Sequence, residues 1–448
     1  MKMRFLAALA LAAATTAVAC GAPADDDDAD ADATAEAQTT TARPATADPD
    51  ATARPADPGA TARPASADPN ATARPADPGA TAATRTVLAN LHSFDFASGD
   101  PFDRRVMIGQ QEPDVSNRAS YATPVVPDVE RLTGRTPALV SYELSNADRG
   151  ARTMFDAAAF RAGRDTLRDL VRAQARRGAL VSFVWHMRCP KAAVTDRDLF
   201  APNECPRDYR LEELLARKPN GREGAHFREW RAILDELAEL LWSLKDDDGE
   251  PIPVQLRPFH EFTGNWFWWG RANGASAYAA AWREMVSYLR DGRGLHHLLW
   301  VFAPDSPSSN GGWESYYPGD DFVDVIAFDR YDHNDGRFAR GYDGDLRAVG
   351  SFAKRHGKVA AVSEVGFNLG AHGTNANPTW FTQTMLAPLR KHGFAYAALW
   401  RNAPWEKFIP EPGDGAIAND FARMASDDAT LFAGTHDLYL PLHVPPES

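Results

Sequence analysis

Eight short apolar runs, separated by longer stretches, constrain the fold of this 448-residue chain more than any other feature of its sequence. The stretch at 223–245 has helical periodicity, with apolar residues at i, i+3, i+4 and i+7, and further helices are expected at 156–177 and 275–290. Strands are expected at residues 106–110, 138–142, 180–186, 253–261, 297–303, 323–329, 358–364 and 394–400. Eight strands that alternate with helices predict an α/β fold of the (β/α)8 class, a TIM barrel.

A doubly wound parallel sheet is the competing topology, because it also alternates strands with helices. No glycine-rich phosphate loop follows the first apolar run, which favours the barrel. In a barrel, the chemistry lies at the C-terminal ends of the strands. Polar and aromatic residues stand where the apolar runs stop: Gln110, Gln111, Tyr142, Glu143, Trp185, His186, His260, Glu261, Asp305, Asp329, Tyr331, Glu364, Trp400 and Arg401. We therefore expect the functional site at this end of the barrel.

The first nineteen residues have the pattern of a secretory signal. Two basic residues precede an apolar run over 5–14, and small residues then lead to Cys20. The segment 17–20 is similar to a bacterial lipobox, in which the cysteine is lipidated and becomes the new N-terminus. We expect an exported lipoprotein of the cell envelope, on the outer surface or in the periplasm, held to the membrane through Cys20. The same small residues also fit an ordinary cleavage site, so free secretion is the alternative.

Residues 20–85 are expected to form a disordered tether between that anchor and the folded domain. An acidic run is followed by T-A-R-P-A repeats that start at residues 41, 52, 61 and 72. These repeats contain almost no large apolar side chains, so they cannot bury a core and favour an extended spacer. The expected organisation is a signal peptide over 1–19, a tether over 20–85 and a catalytic (β/α)8 domain over 86–448.

Composition excludes several classes of function. The chain has 48 Lys+Arg against 61 Asp+Glu, a net charge of −13, which argues against a general nucleic-acid binder. Only the N-terminus carries a long apolar run, so a multi-pass membrane protein is excluded. Neither an H-E-x-x-H motif nor clustered Cys and His residues occur, and no metal or cofactor is expected. We expect a monomer.

Glu261 and Glu364 stand out among the polar residues at the strand ends. They end the fourth and seventh predicted strands, which lie across a barrel mouth from each other, so both carboxylates can face one cleft. Two opposed carboxylates are the groups that cleave a glycosidic bond. One must be protonated to release the leaving oxygen, and the other must be ionised to attack the anomeric carbon. The structural alternative is that each glutamate caps a helix or pairs with an arginine.

The segment R-P-F-H-E-F-T-G-N-W-F-W-W-G over 257–270 resembles the acid/base segment of glycoside hydrolase family 26, whose members are mostly endo-β-1,4-mannanases. The resemblance extends to Trp185-His186, to F-D-R-Y over 328–331, to S-E-V-G over 363–366 and to L-W-R over 399–401. It implies a (β/α)8 barrel with a retaining mechanism and its two glutamates on strands 4 and 7. By this resemblance Glu261 is the general acid/base and Glu364 is the nucleophile.

The resemblance also implies a set of sugar-binding residues. They are His186, His260, Trp266, Tyr331, Trp400 and Arg401. Core packing is the alternative for any one of the tryptophans, although the cluster at 266–269 is too dense for every ring to face inward. Aromatic neighbours are expected to desolvate Glu261 and raise its pKa. Arg257 either holds Glu364 ionised from below or is a buried arginine that stabilises the fold.

Two features depart from the family pattern. Gln110 stands where the family often carries histidine, so a distal sugar-binding position is expected to differ. The segment from Cys189 to Cys205 looks particular to this chain, and export favours a disulfide between these two cysteines beside the third strand.

The expected function is a retaining endo-β-1,4-mannanase that cleaves mannan, glucomannan or galactomannan. The nearest enzymatic alternative is a β-glycanase on the same fold that acts on β-1,3-xylan or mixed-linkage β-glucan. A surface glycan-binding protein that has lost its chemistry is the alternative from another class, although the presence of both Glu261 and Glu364 speaks against it.

Overall fold

The protein is represented by a computed structural model that describes residues 74–94, 105–113, 126–144, 157–187, 210–215, 225–434 and 437–440. The predicted signal peptide, the lipidation residue Cys20 and the tether before residue 74 lie outside the described residues. The predicted disulfide between Cys189 and Cys205 lies outside them as well. Within the described ranges, no helix combines the length and the apolarity needed to cross a membrane.

A closed parallel sheet forms the centre of the molecule, with eight strand positions. The first five are β1 (Val106–Gln111), β2 (Leu139–Glu143), β3 (Leu180–Val184), β4 (Val254–Arg257) and β5 (Leu298–Phe302). The sixth consists of β6 (Val325–Ile326) and β7 (Asp329–Asp332), the seventh of β8 (Val359–Ala360) and β9 (Val362–Phe367), and the eighth of β10 (Tyr396–Leu399). Strand β10 pairs with β1 in parallel, with Met107 opposite Tyr396, and this pairing closes the barrel. The predicted (β/α)8 class is confirmed.

Helices surround the barrel, and those predicted at 156–177, 223–245 and 275–290 are present with slightly shorter bounds. The described helices are α1 (Ala82–Ser93), α2 (Asp128–Thr133), α3 (Ala157–Ala175), α4 (Leu211–Leu215), α5 (Ala225–Trp242), α6 (Ala275–Ser287), α7 (Phe338–His356), α8 (Leu369–His372), α9 (Ala387–His392) and α10 (Ala416–Ala425). A small antiparallel hairpin, β11 (Asn402–Ala403) and β12 (Glu406–Lys407), follows β10, and β13 (Thr430–Leu431) pairs with β1.

The strands are buried on both faces, which explains why they read as continuous apolar runs in the sequence. Side chains on alternate positions face the surrounding helices or the barrel interior. Helix α1 contributes Val87, Leu88 and Leu91 to the same core cluster as Met107 and Leu139 near the beginnings of β1 and β2. The helix therefore packs at the N-terminal end of the barrel and leaves the C-terminal end for the polar strand ends.

The segment just before α1 is packed against the barrel, which differs from the predicted domain boundary at residue 86. The backbone N–H of Ala76 donates to Oδ1 of Asp324 at 2.7 Å, and Asp77 pairs with His296 at 2.8 Å. Thr81 caps the N-terminus of α1 through its hydroxyl group. The end of the last repeat and the residues after it thus make specific contacts through one backbone N–H, one aspartate and one threonine hydroxyl. A shortage of large apolar side chains does not reveal such contacts.

Candidate active site

Three charged side chains converge inside the barrel because their strands place them at inward-facing positions. Arg257 ends β4, Asp329 begins β7 and Glu364 lies within β9. The guanidinium of Arg257 donates to Asp329 at 2.6 Å and forms a salt bridge with Glu364. All three groups are buried. The sequence left two interpretations of Arg257, a partner of Glu364 or a buried arginine that stabilises the fold. The two are compatible, because the arginine is buried and also pairs with Glu364.

The environment of this cluster shifts the pKa values of its members. Burial raises the pKa of Asp329, while the neighbouring Arg257 opposes that rise. Burial lowers the pKa of Arg257, but the carboxylates of Asp329 and Glu364 outweigh this and raise it above the usual value. Ser363 donates its hydroxyl hydrogen to Asp329 at 2.6 Å, so Asp329 accepts two hydrogen bonds from buried donors. Arg257 remains a cation and provides the positive charge of the site.

The sequence predicted Glu261 at the end of the fourth strand. Glu261 lies instead on the loop after β4, because β4 ends four residues earlier at Arg257. Its backbone has a φ of 51°, a left-handed conformation that is uncommon for a residue with a side chain. The Glu261 N–H donates to the carbonyl of Ala303 at 2.8 Å, and Thr263 donates to the carbonyl of Asp305 at 2.9 Å. The surrounding hydrogen bonds hold this turn in place.

The carboxylates of Glu261 and Glu364 approach each other across the barrel mouth. One oxygen from each lies within 4.8 Å of the other, and an oxygen of Asp329 lies within the same distance of both. Three carboxylates at this spacing could also offer ligands to a cation. In this protein the guanidinium of Arg257 already pairs with two of them. The arrangement suits chemistry that needs a carboxylate paired with a cation opposite another carboxyl group.

Trp266 contacts Glu261 directly, since its indole N–H donates to Oε2 of Glu261 at 2.6 Å. A side chain at Gly264 would come within 2.2 Å of the Trp266 ring, so this glycine allows the indole to lie against the loop backbone. Trp266 is partly exposed, whereas the three aromatic residues that follow it are buried. Of the cluster at 266–269, Trp266 is the ring that remains open to solvent.

Tyr331 contacts the other glutamate. Its hydroxyl donates to Oε2 of Glu364 at 2.5 Å, while the opposite oxygen of Glu364 accepts from Arg257. Burial, together with the charges of Glu364 and Glu261, raises the pKa of Tyr331 well above its ordinary value. The tyrosine therefore keeps its hydrogen and acts as the donor. Both oxygens of Glu364 are held, which fixes the orientation of this carboxylate.

A chain of hydrogen bonds links Glu143, His186 and His260 on the side of Glu261. Nδ1 of His186 lies 2.5 Å from Oε2 of Glu143, and Nε2 of His186 lies 3.3 Å from Nε2 of His260. Burial, with Arg257 and His186 adding to it, lowers the pKa of His260 well below its usual value. His260 is therefore neutral near pH 7. The glutamate at the end of β2 orients the first histidine, and that histidine contacts the second.

Trp400 and Arg401 follow β10 and lie on the side of Glu364. Trp400 is buried, and its ring meets the Tyr331 ring edge-on with centroids 6.0 Å apart. The Arg401 guanidinium lies 4.6 Å from the centre of the Trp400 ring and forms salt bridges with Glu112 and Glu406. These ion pairs hold Arg401 beside the barrel mouth.

The structure brings six predicted sugar-binding residues and both glutamates to the same end of the barrel. Sequence reasoning did not single out Asp329, Glu143, Glu112 or Glu406 as members of the site. Asp329 and Glu143 are among the polar residues at the predicted strand ends, and this position could have identified them as members of the site. Gln110 is directed away from this group, because its side chain bonds Asp128 and the N–H of Val129.

A parallel (β/α)8 barrel that presents two carboxylates this close at its C-terminal mouth defines the class of the protein as a glycoside hydrolase. Comparison with known families agrees. The family model described as Glycosyl hydrolase family 26 matches residues 76–364, more than half of the chain. The chain belongs to glycosyl hydrolase family 26.

The chain is also similar to individual proteins that are named as mannanases. A mannan endo-1,4-beta-mannosidase from Bifidobacterium adolescentis is 30% identical over 309 residues, covering 66% of this chain and 29% of the relative. Another from Thermothelomyces thermophilus is 28% identical over 279 residues, covering 59% of this chain and 48% of the relative. The chain thus spans less than half the length of these two curated relatives. A modular endo-beta-1,4-mannanase from Cellulomonas fimi has a similar structure, with a TM-score of 0.69 and 29% identity, covering 83% of this chain and 80% of that chain.

Proposed function

We propose that this glycoside hydrolase is a retaining endo-β-1,4-mannanase that cleaves mannan, glucomannan or galactomannan. One observation carries the retaining mechanism, namely the approach of Glu261 and Glu364 to within 4.8 Å of each other. Retaining enzymes place their carboxyl groups about 5–5.5 Å apart, whereas inverting enzymes need about 6.5–9.5 Å to admit a water molecule. The similarity to mannan endo-1,4-beta-mannosidases supports the substrate.

In the first step, Glu364 attacks the anomeric carbon while Glu261 donates its proton to the departing glycosidic oxygen. The salt bridge with Arg257 and the hydrogen bond from Tyr331 hold both oxygens of Glu364 and orient the carboxylate. This step forms a covalent bond between the sugar and Glu364 and releases one part of the polysaccharide as an alcohol.

In the second step, water attacks the same carbon and Glu364 leaves as a carboxylate. Glu261, now ionised, accepts a proton from the water and returns to its starting state. The negative charge of Glu364 is absent from the covalent intermediate, and this loss favours the ionised form of the nearby Glu261. Two inversions at one carbon give net retention.

The sugar in the central position would contact several groups around the two glutamates. The neutral His260, the oriented His186 and the partly exposed Trp266 lie on the side of Glu261. Arg401 and Trp400 lie on the side of Glu364. Hydroxyl groups need hydrogen-bonding partners, and the apolar face of a pyranose suits an indole ring, so this mixture fits a neutral sugar.

A hydrolysis time course tests the proposal. Linear mannan should yield oligosaccharides of intermediate size early, and NMR of the fresh products should show the β-anomer. The same hydrolysis assay on β-1,3-xylan and mixed-linkage β-glucan tests the related glycanase activities. Binding of mannan without release of reducing ends would contradict the enzyme and favour the glycan-binding alternative.

We also propose that the protein is exported and anchored through a lipid on Cys20, with a disulfide between Cys189 and Cys205. The sequence pattern at 17–20 and the acidic, proline-rich segment after it support the anchor. Metabolic labelling with a radioactive fatty acid should mark the native chain and not a Cys20→Ala variant. Mass mapping without reductant that found two free thiols at 189 and 205 would contradict the disulfide.

A further inference from the structure

Trp405 is one of two exposed tryptophans among the described residues, with 48% of its surface accessible. It lies in the turn between β11 and β12, four positions after Arg401. A single exposed apolar side chain is ordinary on a protein surface. Trp405 is distinguished by its place on a hairpin that is attached to the cleft.

The hairpin that carries Trp405 is tied to the cleft at its base. Glu406 accepts a hydrogen bond from Arg401 at 2.7 Å and another from the Trp400 indole at 3.3 Å. Arg401 is bound on its other side by Glu112, which follows β1. The residue beside Trp405 is therefore anchored to the same arginine that lines the proposed sugar site.

The rest of the hairpin is equally fixed. The Asn402 side chain accepts hydrogen bonds from the N–H groups of Phe408 and Ile409, both at 2.9 Å. The Phe408 ring lies 5.7 Å from the Tyr331 ring, and a side chain at Gly366 would come within 2.3 Å of it. A small residue on β9 thus allows the hairpin to pack beside the nucleophile strand, and Pro404 restricts the turn itself.

Trp405 lies at the tip of this hairpin. Ala403 pairs with Glu406 across it, so Pro404 and Trp405 form a two-residue turn. The turn is held at the edge of the proposed sugar site, because Glu406 is bonded to Arg401. A rigid turn presents the ring there at little further entropic cost on binding.

We propose that Trp405 forms an outer sugar-binding position of the cleft, where its indole stacks on a pyranose ring of the bound polysaccharide. The inference rests on the proposed mannanase function and adds a chain-length preference to it. The ligand is a β-linked glycan long enough to extend from the two glutamates past Arg401 to the hairpin. Apolar contact with the sugar face supplies the binding energy, so the effect is expected in the affinity for long chains.

The test compares Trp405→Ala and Trp405→Phe with the native enzyme on mannotriose through mannohexaose. Trp405→Ala should lower kcat/KM on mannohexaose about tenfold, equivalent to about 1.4 kcal/mol, with a smaller loss on each shorter chain. Trp405→Phe should recover part of the loss, because it keeps an apolar ring. The matched control is Trp242→Ala, since Trp242 is 40% exposed at the end of α5, away from the barrel mouth.

A loss that is equal for every chain length would overturn the inference, because it would indicate a structural role for the hairpin. So would a Trp405→Ala profile that matches Trp242→Ala. In both cases the native enzyme would still cleave mannan, and the proposed function would stand. Failure of the native enzyme on mannan and on every mannooligosaccharide would instead overturn the proposed function together with this inference.

Discussion

Arg257 and Glu364 form a salt bridge inside the barrel in which the two side chains are only 1% and 4% exposed. The same guanidinium pairs with the fully buried Asp329. Two buried carboxylates thus depend on one cation. The relationship links stability to function, because the group that orients Glu364 also offsets the cost of burying a carboxylate.

Replacing Arg257 by Met should therefore destabilise the fold strongly. We expect a decrease of about 3–5 kcal/mol in the free energy of unfolding at pH 7, measured by urea denaturation, because two buried carboxylates lose their cation. The matched control is Arg176→Met, whose salt bridge with Asp247 is exposed on both sides and should contribute nothing measurable. Equal stability of the two variants would show that the buried cation is dispensable.

The two glutamates should respond differently to substitution. Glu364→Ala should abolish turnover of every substrate, while Glu261→Ala should lower turnover of mannan by about 10²–10⁴-fold. Aryl mannosides with a good leaving group should lose less in the first step with Glu261→Ala, since they need no acid. Added azide should restore part of that activity, because an anion needs no general base. Glu314→Ala, an exposed glutamate, is the control. Equal losses on both substrate types would contradict the assignment of roles.

Tyr331→Phe should lower kcat/KM by about 10–100-fold. The hydroxyl donates a hydrogen bond to the charged Glu364, an interaction of about 1.5–3 kcal/mol, and its loss frees one carboxylate oxygen. Tyr342→Phe is a matched control, because no hydrogen-bond partner is found for its buried hydroxyl among the described residues. That variant should keep full activity. A Tyr331→Phe enzyme as active as Tyr342→Phe would show that the hydrogen bond does not assist the nucleophile.

His297 should make the protein less stable in mild acid. Burial, with His296 and Lys245 adding to it, lowers the pKa of His297 to about 4. The unfolded chain binds a proton below about pH 6.5, whereas the folded chain does so only near pH 4, so stability is lost as the pH falls between these values. The loss is about 1.4 kcal/mol per pH unit.

The measurement is urea unfolding of the native chain and His297→Gln at pH 7 and pH 5. Glutamine cannot titrate, and its amide can still donate to the carbonyl of Leu241, which His297 contacts at 3.1 Å. The native chain should lose about 2 kcal/mol more than the variant over this interval. Identical losses would mean that His297 is protonated equally in the folded and unfolded chains.

Truncation should locate the start of the packed domain. A variant that begins at residue 74 should unfold at the same temperature as the native chain. One that begins at residue 86 should unfold at a lower temperature, because it loses the Ala76 contact with Asp324, the Asp77 contact with His296 and the Thr81 cap. Calorimetry measures both. Equal melting temperatures would restore residue 86 as the boundary.

The sequence by itself determined the barrel and the two glutamates. Alternation of apolar runs with helical periodicity is a local property, and each strand buried on both faces must read as a continuous apolar run. Polar residues at the ends of such runs are visible for the same reason. The pairing of Glu261 with Glu364 then follows from barrel geometry, in which the fourth and seventh strands face each other.

Only the tertiary structure decided which groups hold those glutamates. Asp329 shares Arg257 with Glu364, and the left-handed turn at Glu261 moves this carboxylate onto a loop beyond β4. The packing of Ala76 against Asp324 is likewise a contact between residues 248 positions apart. Such relationships depend on inward-facing positions, backbone atoms and loop conformations that meet only when the chain closes, and no local pattern of residue types encodes them.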